Sequence, residues 1–406
     1  MTERTNVLWL IDHVCYDGTL HGGGRLFMNL APRLQDRGVN VFPYFLRASD
    51  EVVEVFRDAP LQVTNLDKSK YDLSALFTLR KLCREHDIEV LHLFCYASST
   101  FGRLVGRWLG LPTVIHDFDT QIYFPYPFYL KVADRMLAKD TSLAFAASQM
   151  CRSYMADVRS VPADRIRLMY HAIPERRLEQ AQAADRSVAR TELGVDEDAP
   201  LFCCPTKLGP ERGNDVLLDA FAKVVERVPN AQLAIVYKPT LYHVVPKEYE
   251  ALPWIRDIDF MRRQIQDWVS ERGLEANVKL VESLDDPSAY FEASDAVVAP
   301  FLNERFSSVY LVEGLAYGLP IIAFDIGEPQ EIVEEGVNGM LLPVGDVGEL
   351  AEALVRLSSD REQLEKLREG ARRSASRFTA DASADRLIDT YRQLAAASRH
   401  PAAAKA

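Results

Sequence analysis

No run of apolar residues in this 406-residue chain approaches the roughly 18 that cross a bilayer. The opening residues, MTERTNVLWLIDHV, lack the basic start and long apolar stretch of a secretory leader, so a cytosolic protein is expected. Positive charge is also scarce: 47 Lys and Arg face 59 Asp and Glu, and the net charge of −12 opposes general nucleic-acid binding, which depends on neutralising phosphates. The six cysteines lie scattered, with no C-x-x-C and no zinc spacing. Neither a disulfide framework nor a metal site is expected, and the thiols read as small buried residues in a reducing compartment. Dinucleotide and P-loop fingerprints are absent too, which leaves a Rossmann dehydrogenase or a kinase without support.

What is present is alternation. Short apolar runs, NVLWLI (6–11), NVFPYFL (40–46), EVLHLF (89–94), PTVIH (112–116), LAFAA (143–147) and IRLMYH (166–171), are separated by amphipathic stretches such as LSALFTLRKLCREH. Strand, helix, strand in this order predicts a parallel sheet covered on both faces. The pattern restarts after a charged, Ala- and Gln-rich stretch: PLFCCPT (200–206), AQLAIVY (231–237), NVKLVE (277–282), DAVVAP (295–300), PIIAF (320–324) and NGMLL (338–342). An α/β protein of two doubly wound, Rossmann-like domains follows, with ligands expected beyond the carboxyl ends of the strands and across the cleft the domains would share. Expected boundaries are 1–180, a link over 181–198, a second domain over 199–376, a C-terminal helix over 377–398 packing back on the first domain, and a frayed tail over 399–406. Pro239–Asp259 is long for a connection and reads as a lid or a surface insertion.

Four loops after strands carry candidate chemistry. In DGTLHGGGRLFMNL, Gly22, Gly23 and Gly24 open a helix and let backbone amides approach an anion; Pro32 would kink that helix. VIHDFDT places His116 at a strand end, and Asp117 and Asp119 form a D-x-D whose flanks do not suit a metal-bound nucleotide. CPTKLGPERGNDVLLDAF sets Lys207 and Arg212 around a helix start, a combination that stabilises a polyphosphate by charge and unpaired amides together. ERFSSVYLVEGLAYGLP carries Glu304 and Glu313. The helix predicted from Ser308 would aim the amides of Phe306, Ser307 and Ser308 at a ligand, and the Glu313 carboxylate could accept both hydroxyls of a ribose.

These loops, with YFEASDAVVAP and above all GEPQEIVEEGVNGMLLPVGD, resemble the retaining glycosyltransferases of the GT-B fold, family 4. The likeness spans nearly the whole chain. It implies transfer of a sugar from a nucleoside diphosphate donor, UDP favoured, to an acceptor hydroxyl, with no cofactor and no metal. It assigns Gly22–Gly24 to the diphosphate and acceptor, His116 to the donor sugar, Lys207 and Arg212 to the diphosphate, and Glu313 to the ribose. Two departures stand out. The family separates its two glutamates by seven residues, whereas eight lie between Glu304 and Glu313, so Arg305 occupies the expected place unless a one-residue bulge restores Glu304. YHAIPE (170–175) replaces the usual Asn-Gly-(Ile/Val)-Asp. The acceptor, whether saccharide, lipid-linked or small molecule, is not legible. QIYFPYPFYLKVADRMLAK (121–139) suits a membrane interface, and its aromatics read as readily as core or acceptor-cleft lining; the acidity of the chain favours a soluble enzyme, with attachment at the inner membrane face the lesser alternative. The competing functions are a nucleotide-binding or regulatory relic of the fold and a nucleotide-sugar epimerase.

Overall fold

The computed structural model describes residues 4–12, 15–16, 19–20, 22–48, 62–117, 128–239, 249–282, 286–303 and 309–399. The chain divides into two compact units, residues 1–121, 125–174 and 378–406 in one and 122–124 with 175–377 in the other.

In the first unit, β1 (Thr5–Ile11), β2 (Val39–Phe45), β3 (Thr64–Asn65), β4 (Val90–Phe94), β5 (Thr113–Asp117), β6 (Leu143–Ala146) and β7 (Ile166–Leu168) form one parallel sheet in the order β3-β2-β1-β4-β5-β6-β7. A two-stranded ribbon, Cys15–Tyr16 with Thr19–Leu20, follows β1. The helices are α1 (Gly22–Asp36), α2 (Ser74–Glu85), α3 (Tyr96–Leu109), α4 (Phe128–Leu137) and α5 (Gln149–Asp157). The central strands β4 and β5 are buried along their whole length, as parallel strands covered on both faces must be. Period-two alternation sorts their side chains. Val90, Phe94 and Val114 join Trp9 and Leu34 in one core, whereas Leu91 and Leu93 join Leu79 and Phe101 in the other.

In the second unit, helices α6 (Glu175–Ala183) and α7 (Arg186–Leu193) precede β8 (Leu201–Lys207), α8 (Asn214–Arg227), β9 (Gln232–Lys238), α9 (Ile258–Glu271), β10 (Val278–Glu282), α10 (Ser288–Ala293) and β11 (Ala296–Ala299). Then come α11 (Val309–Ala316), β12 (Ile321–Phe324), α12 (Pro329–Ile332), β13 (Gly339–Leu342), α13 (Val347–Ser359) and α14 (Arg361–Ala375). The parallel sheet runs β10-β9-β8-β11-β12-β13. Strand order reverses beside β8 in this sheet and beside β1 in the other, so the ends of those strands are the places where a ligand meets loops from both directions. The last helix, α15 (Ala380–Arg399), belongs to the first unit, where Leu387, Ile388 and Tyr391 share the core of Val7, Trp9 and Leu30.

One expectation needs correction. The stretch over 181–198 is no loose link: Arg190 on α7 is 1% exposed, donates to the carbonyls of Ala293, Asp196 and Ala199, and pairs with Asp295. Composition reads the exposed Asp and Glu of this stretch, whereas Arg186 and Arg190 both pair with Asp295 and tie α7 to the second unit. The helix does not restart at Pro32, the alternative to a kink there: α1 runs from Gly22 to Asp36 with Pro32 inside it. Of the lid or insertion expected over 239–259, residues 240–248 lie outside the described residues.

Candidate functional site

The best-formed candidate lies at the carboxyl end of β8. Lys207 is the exposed last residue of that strand, and the parallel register sets Lys238, the last residue of β9, beside it. Sequence reasoning missed Lys238, because only strand pairing brings it to the same edge. A short 3-10 turn, Pro210–Arg212, then leads to Gly213 and α8. Gly213 has φ +64°, and a Cβ there would lie 1.9 Å from the Pro300 carbonyl oxygen, so the turn fits against the end of β11 only as glycine. No side chain caps α8 at Gly213. The first-turn amides of a 14-residue helix, with its positive dipole end, therefore open beside Lys207 and Arg212. The Arg212 guanidinium is 6% exposed and lies over the Phe301 ring, 5.2 Å from its centroid. That contact fixes its direction. The next buried group along, the Asn214 side-chain oxygen, has no hydrogen-bond partner among the described residues.

Glu313 lies on α11, as expected, but its surroundings were not foreseen. It is 1% exposed, and its Oε2 accepts from Nε of Arg177, 3.0 Å away on α6. Arg177 also donates to Gln180 and pairs with Asp286. Burial would raise the Asp286 carboxyl, but hydrogen bonds from Ser288 and Gln180 and the Arg177 charge outweigh it and pull its pKa down to about 2. Burial opposes the charge on Arg177 as well, and its two carboxylate partners raise its pKa despite that. Glu313 and Arg177 are 136 positions apart in sequence, so no local spacing could reveal the pair. Glu304, Arg305, Phe306, Ser307 and Ser308 lie outside the described residues.

In the first unit, Gly22, Gly23 and Gly24 form the first turn of α1. His116, expected at the donor sugar, is fully buried. Its ring stacks on His92 (5.4 Å, 5°) and lies against Phe94 and Phe145. Burial, with the nearby His171 charge, pushes its pKa down to about 3, and burial likewise depresses His92. Both rings are therefore neutral at physiological pH. Tyr391 of α15 locks the pair in place. The Trp9 indole donates to the Tyr391 oxygen at 2.9 Å, and that hydroxyl meets Nδ1 of His92. Trp9 can only donate, so the Tyr391 oxygen accepts from it while the same hydroxyl holds the His92 ring through Nδ1. The position at a strand end suggested a cleft-facing histidine. Alternation along β5 instead turns His116 into the core shared with α15.

Asp117 turns to the opposite face, where Arg159 engages it; Asp119 lies outside the described residues. Arg159 also binds Asp134 at 2.9 Å and stacks over Tyr96, and Arg103 completes a buried group of two cations and two carboxylates. Asp12, at the end of β1, accepts from the Ala97 and Ser98 amides and so anchors the start of α3. Among the described residues, no group of three or more His, Cys, Asp or Glu is arranged to hold a metal ion.

Two doubly wound parallel sheets, and a likeness to solved glycosyltransferases, give the chain the GT-B fold. Comparison with known proteins goes one step further. The family described as "Glycosyltransferase Family 4" matches residues 20–177, and "Glycosyl transferases group 1" matches residues 185–374. The chain belongs to this glycosyltransferase family. It is 30% identical over 249 residues to the D-inositol 3-phosphate glycosyltransferase of Saccharomonospora viridis, covering 59% of this chain and about half, 55%, of that protein. It is 25% identical over 412 residues to the enzyme of the same name from Thermobispora bispora, covering 92% of this chain and 90% of that one. The crystal structure of Anabaena HepE in complex with UDP superposes with a TM-score of 0.72 at 18% identity, covering 96% of this chain and 100% of that one.

Proposed function

We propose that the protein transfers a sugar from a nucleoside diphosphate donor, a UDP-sugar first, to an acceptor hydroxyl with retention at the anomeric carbon and without a metal. The observation that carries this proposal is the junction of β8 and α8: Lys207 and Lys238 at the strand edge, Arg212 held by Phe301, and the uncapped first turn of α8. As the glycosidic bond breaks, negative charge grows on the leaving diphosphate. Fixed cations and amides stabilise that charge more than they stabilise the ground state. One preorganised donor of this kind contributes roughly 3 kcal/mol, about a hundredfold in rate, so a few suffice. The UDP bound by HepE supports the choice of nucleotide.

Glu313 is the ribose ligand in this account, its carboxylate oriented by the hydrogen bond from Arg177. His116, packed against Phe94 and Phe145, is assigned no contact with the sugar in this account. Its part is to support the end of β5 as a neutral ring. The acceptor named for the two actinobacterial relatives makes D-inositol 3-phosphate the first to try.

The test incubates purified protein with UDP-sugars and that acceptor in the presence of a chelator, and reads product configuration by NMR. Acceptor-dependent UDP release with the donor's anomeric configuration kept is expected. Inverted product, or conversion of the donor without any acceptor, overturns the proposal.

A further inference from the structure

Large apolar side chains left exposed are not spread evenly over the described residues. All but Val188 and Val344 lie on α2, α3 and α4 of the first unit or just before α2. Helix α4 is turned inside out. Its buried positions hold Leu137 and the charged Asp134, paired to Arg103 and Arg159, while Phe128 (81% exposed), Tyr129, Val132 and Met136 face outward. A helix serving only its own core shows the reverse pattern. The neighbouring elements extend the surface. The Tyr71 and Tyr129 hydroxyls lie 3.5 Å apart, Phe77 (65% exposed) meets Trp108 edge-on at 5.9 Å, and Arg107 reaches the Met136 carbonyl at 3.3 Å. These contacts make one continuous face of side chains that individually would call for no explanation.

The charges around this face have one prevailing sign. Lys70 lies over the Tyr71 ring and Arg80 over Trp108, and the exposed ionisable groups of α4 are Lys131 and Arg135. This occurs in a chain whose net charge is −12. Aromatic and aliphatic side chains fringed by cations are the chemistry of a protein surface that rests on an anionic bilayer, rings at headgroup depth and cations against phosphates. A second copy of the chain fits less well, because a two-fold contact through this face brings the same surplus of cations from both copies into one interface.

We propose that the face formed by α2, α3 and α4 is a docking surface for membranes carrying anionic lipid. The net charge of −12 averages over the whole chain and does not describe this local surplus of cations. The proposal depends on the first unit's surface alone and stands or falls apart from the sugar-transfer account.

The test is co-sedimentation of the full chain with large vesicles of phosphatidylcholine alone or with one-third phosphatidylglycerol, at two salt concentrations. Binding is expected to require the anionic lipid and to weaken as salt rises. Phe128→Ser with Met136→Ser is expected to lower partitioning about tenfold or more. Lys131→Glu with Arg135→Glu is expected to do the same, at about fivefold or more per charge. Both pairs are exposed, so unchanged thermal unfolding checks that neither acts through misfolding. Absence of binding to anionic vesicles, equal binding to neutral ones, or indifference to both pairs of substitutions overturns the proposal. So does a solution dimer that Phe128→Ser with Met136→Ser dissociates, since a second copy would then cover the face.

Discussion

Acidification should weaken the first unit through two buried rings. His116, with a pKa near 3, and His92, also held low by burial, stay neutral in the folded chain, whereas an unfolded histidine takes up a proton near pH 6.5. The unfolded state therefore binds more protons between these values. Stability is complete above about pH 6.5 and falls as the pH drops toward 3. At pH 5 the loss from His116 is about 2 kcal/mol, a large share of the 5–15 kcal/mol typical of a domain, and His92 acts in the same direction. Asp12 pulls the other way, since burial raises its carboxyl against the Ser98 and Ala97 hydrogen bonds, so the raw slope mixes contributions. His116→Phe isolates one of them. Phenylalanine suits a position lined by Phe94 and Phe145 and carries no titrating group. Hydrogen exchange of the β4 and β5 amides, corrected for intrinsic rates, reports the opening free energy of this unit at pH 8 and pH 5. The variant should lose about 2 kcal/mol less than the parent over that interval. Equal losses in both proteins would refute the argument that His116 is buried and neutral.

Two further outcomes follow from the second unit. Gly213→Ala meets the Pro300 carbonyl at 1.9 Å and should cost about 3 kcal/mol or more by overpacking and left-handed strain together. Gly194→Ala, at the same φ of +64° but with nothing within 4 Å, should cost only about 1–2 kcal/mol; urea unfolding compares them, and equal costs would sink the close-approach argument. Arg177→Met leaves Glu313 charged and buried, so a loss of about 3–5 kcal/mol is expected, with recovery of much of it when Glu313→Gln is added. Purely additive effects in that double-mutant cycle would mean the two side chains do not act as a pair.

The sheets were legible because their strands are short apolar runs bounded by turn residues. LFCCPT and EVLHLF fall within or beside β8 and β4, and the repeat of the pattern exposed two units. The Lys207–Arg212 loop was legible for a related reason, since a strand end, a turn and a helix start are all local. What escaped was decided by distance in sequence or by side-chain direction. Arg177 carried no local signal of its partner until the fold brought it to Glu313. His116 looked available until α15, the last helix of the chain, was seen to build the core beside it. Lys238 became visible only through strand register. The outward apolar stripe of α4 has the same periodicity as an inward one, and composition alone could not assign its face.

The central claim is that the edge of β8 and the first turn of α8 hold a nucleoside diphosphate by charge and amide dipoles. Calorimetric titration of UDP, in a chelator, into the parent chain and into Lys207→Ala with Arg212→Ala tests it most directly. Two lost charge-assisted hydrogen bonds at about 1.5–3 kcal/mol each predict affinity lower by about a hundredfold or more. An unchanged dissociation constant in the double variant would contradict the claim.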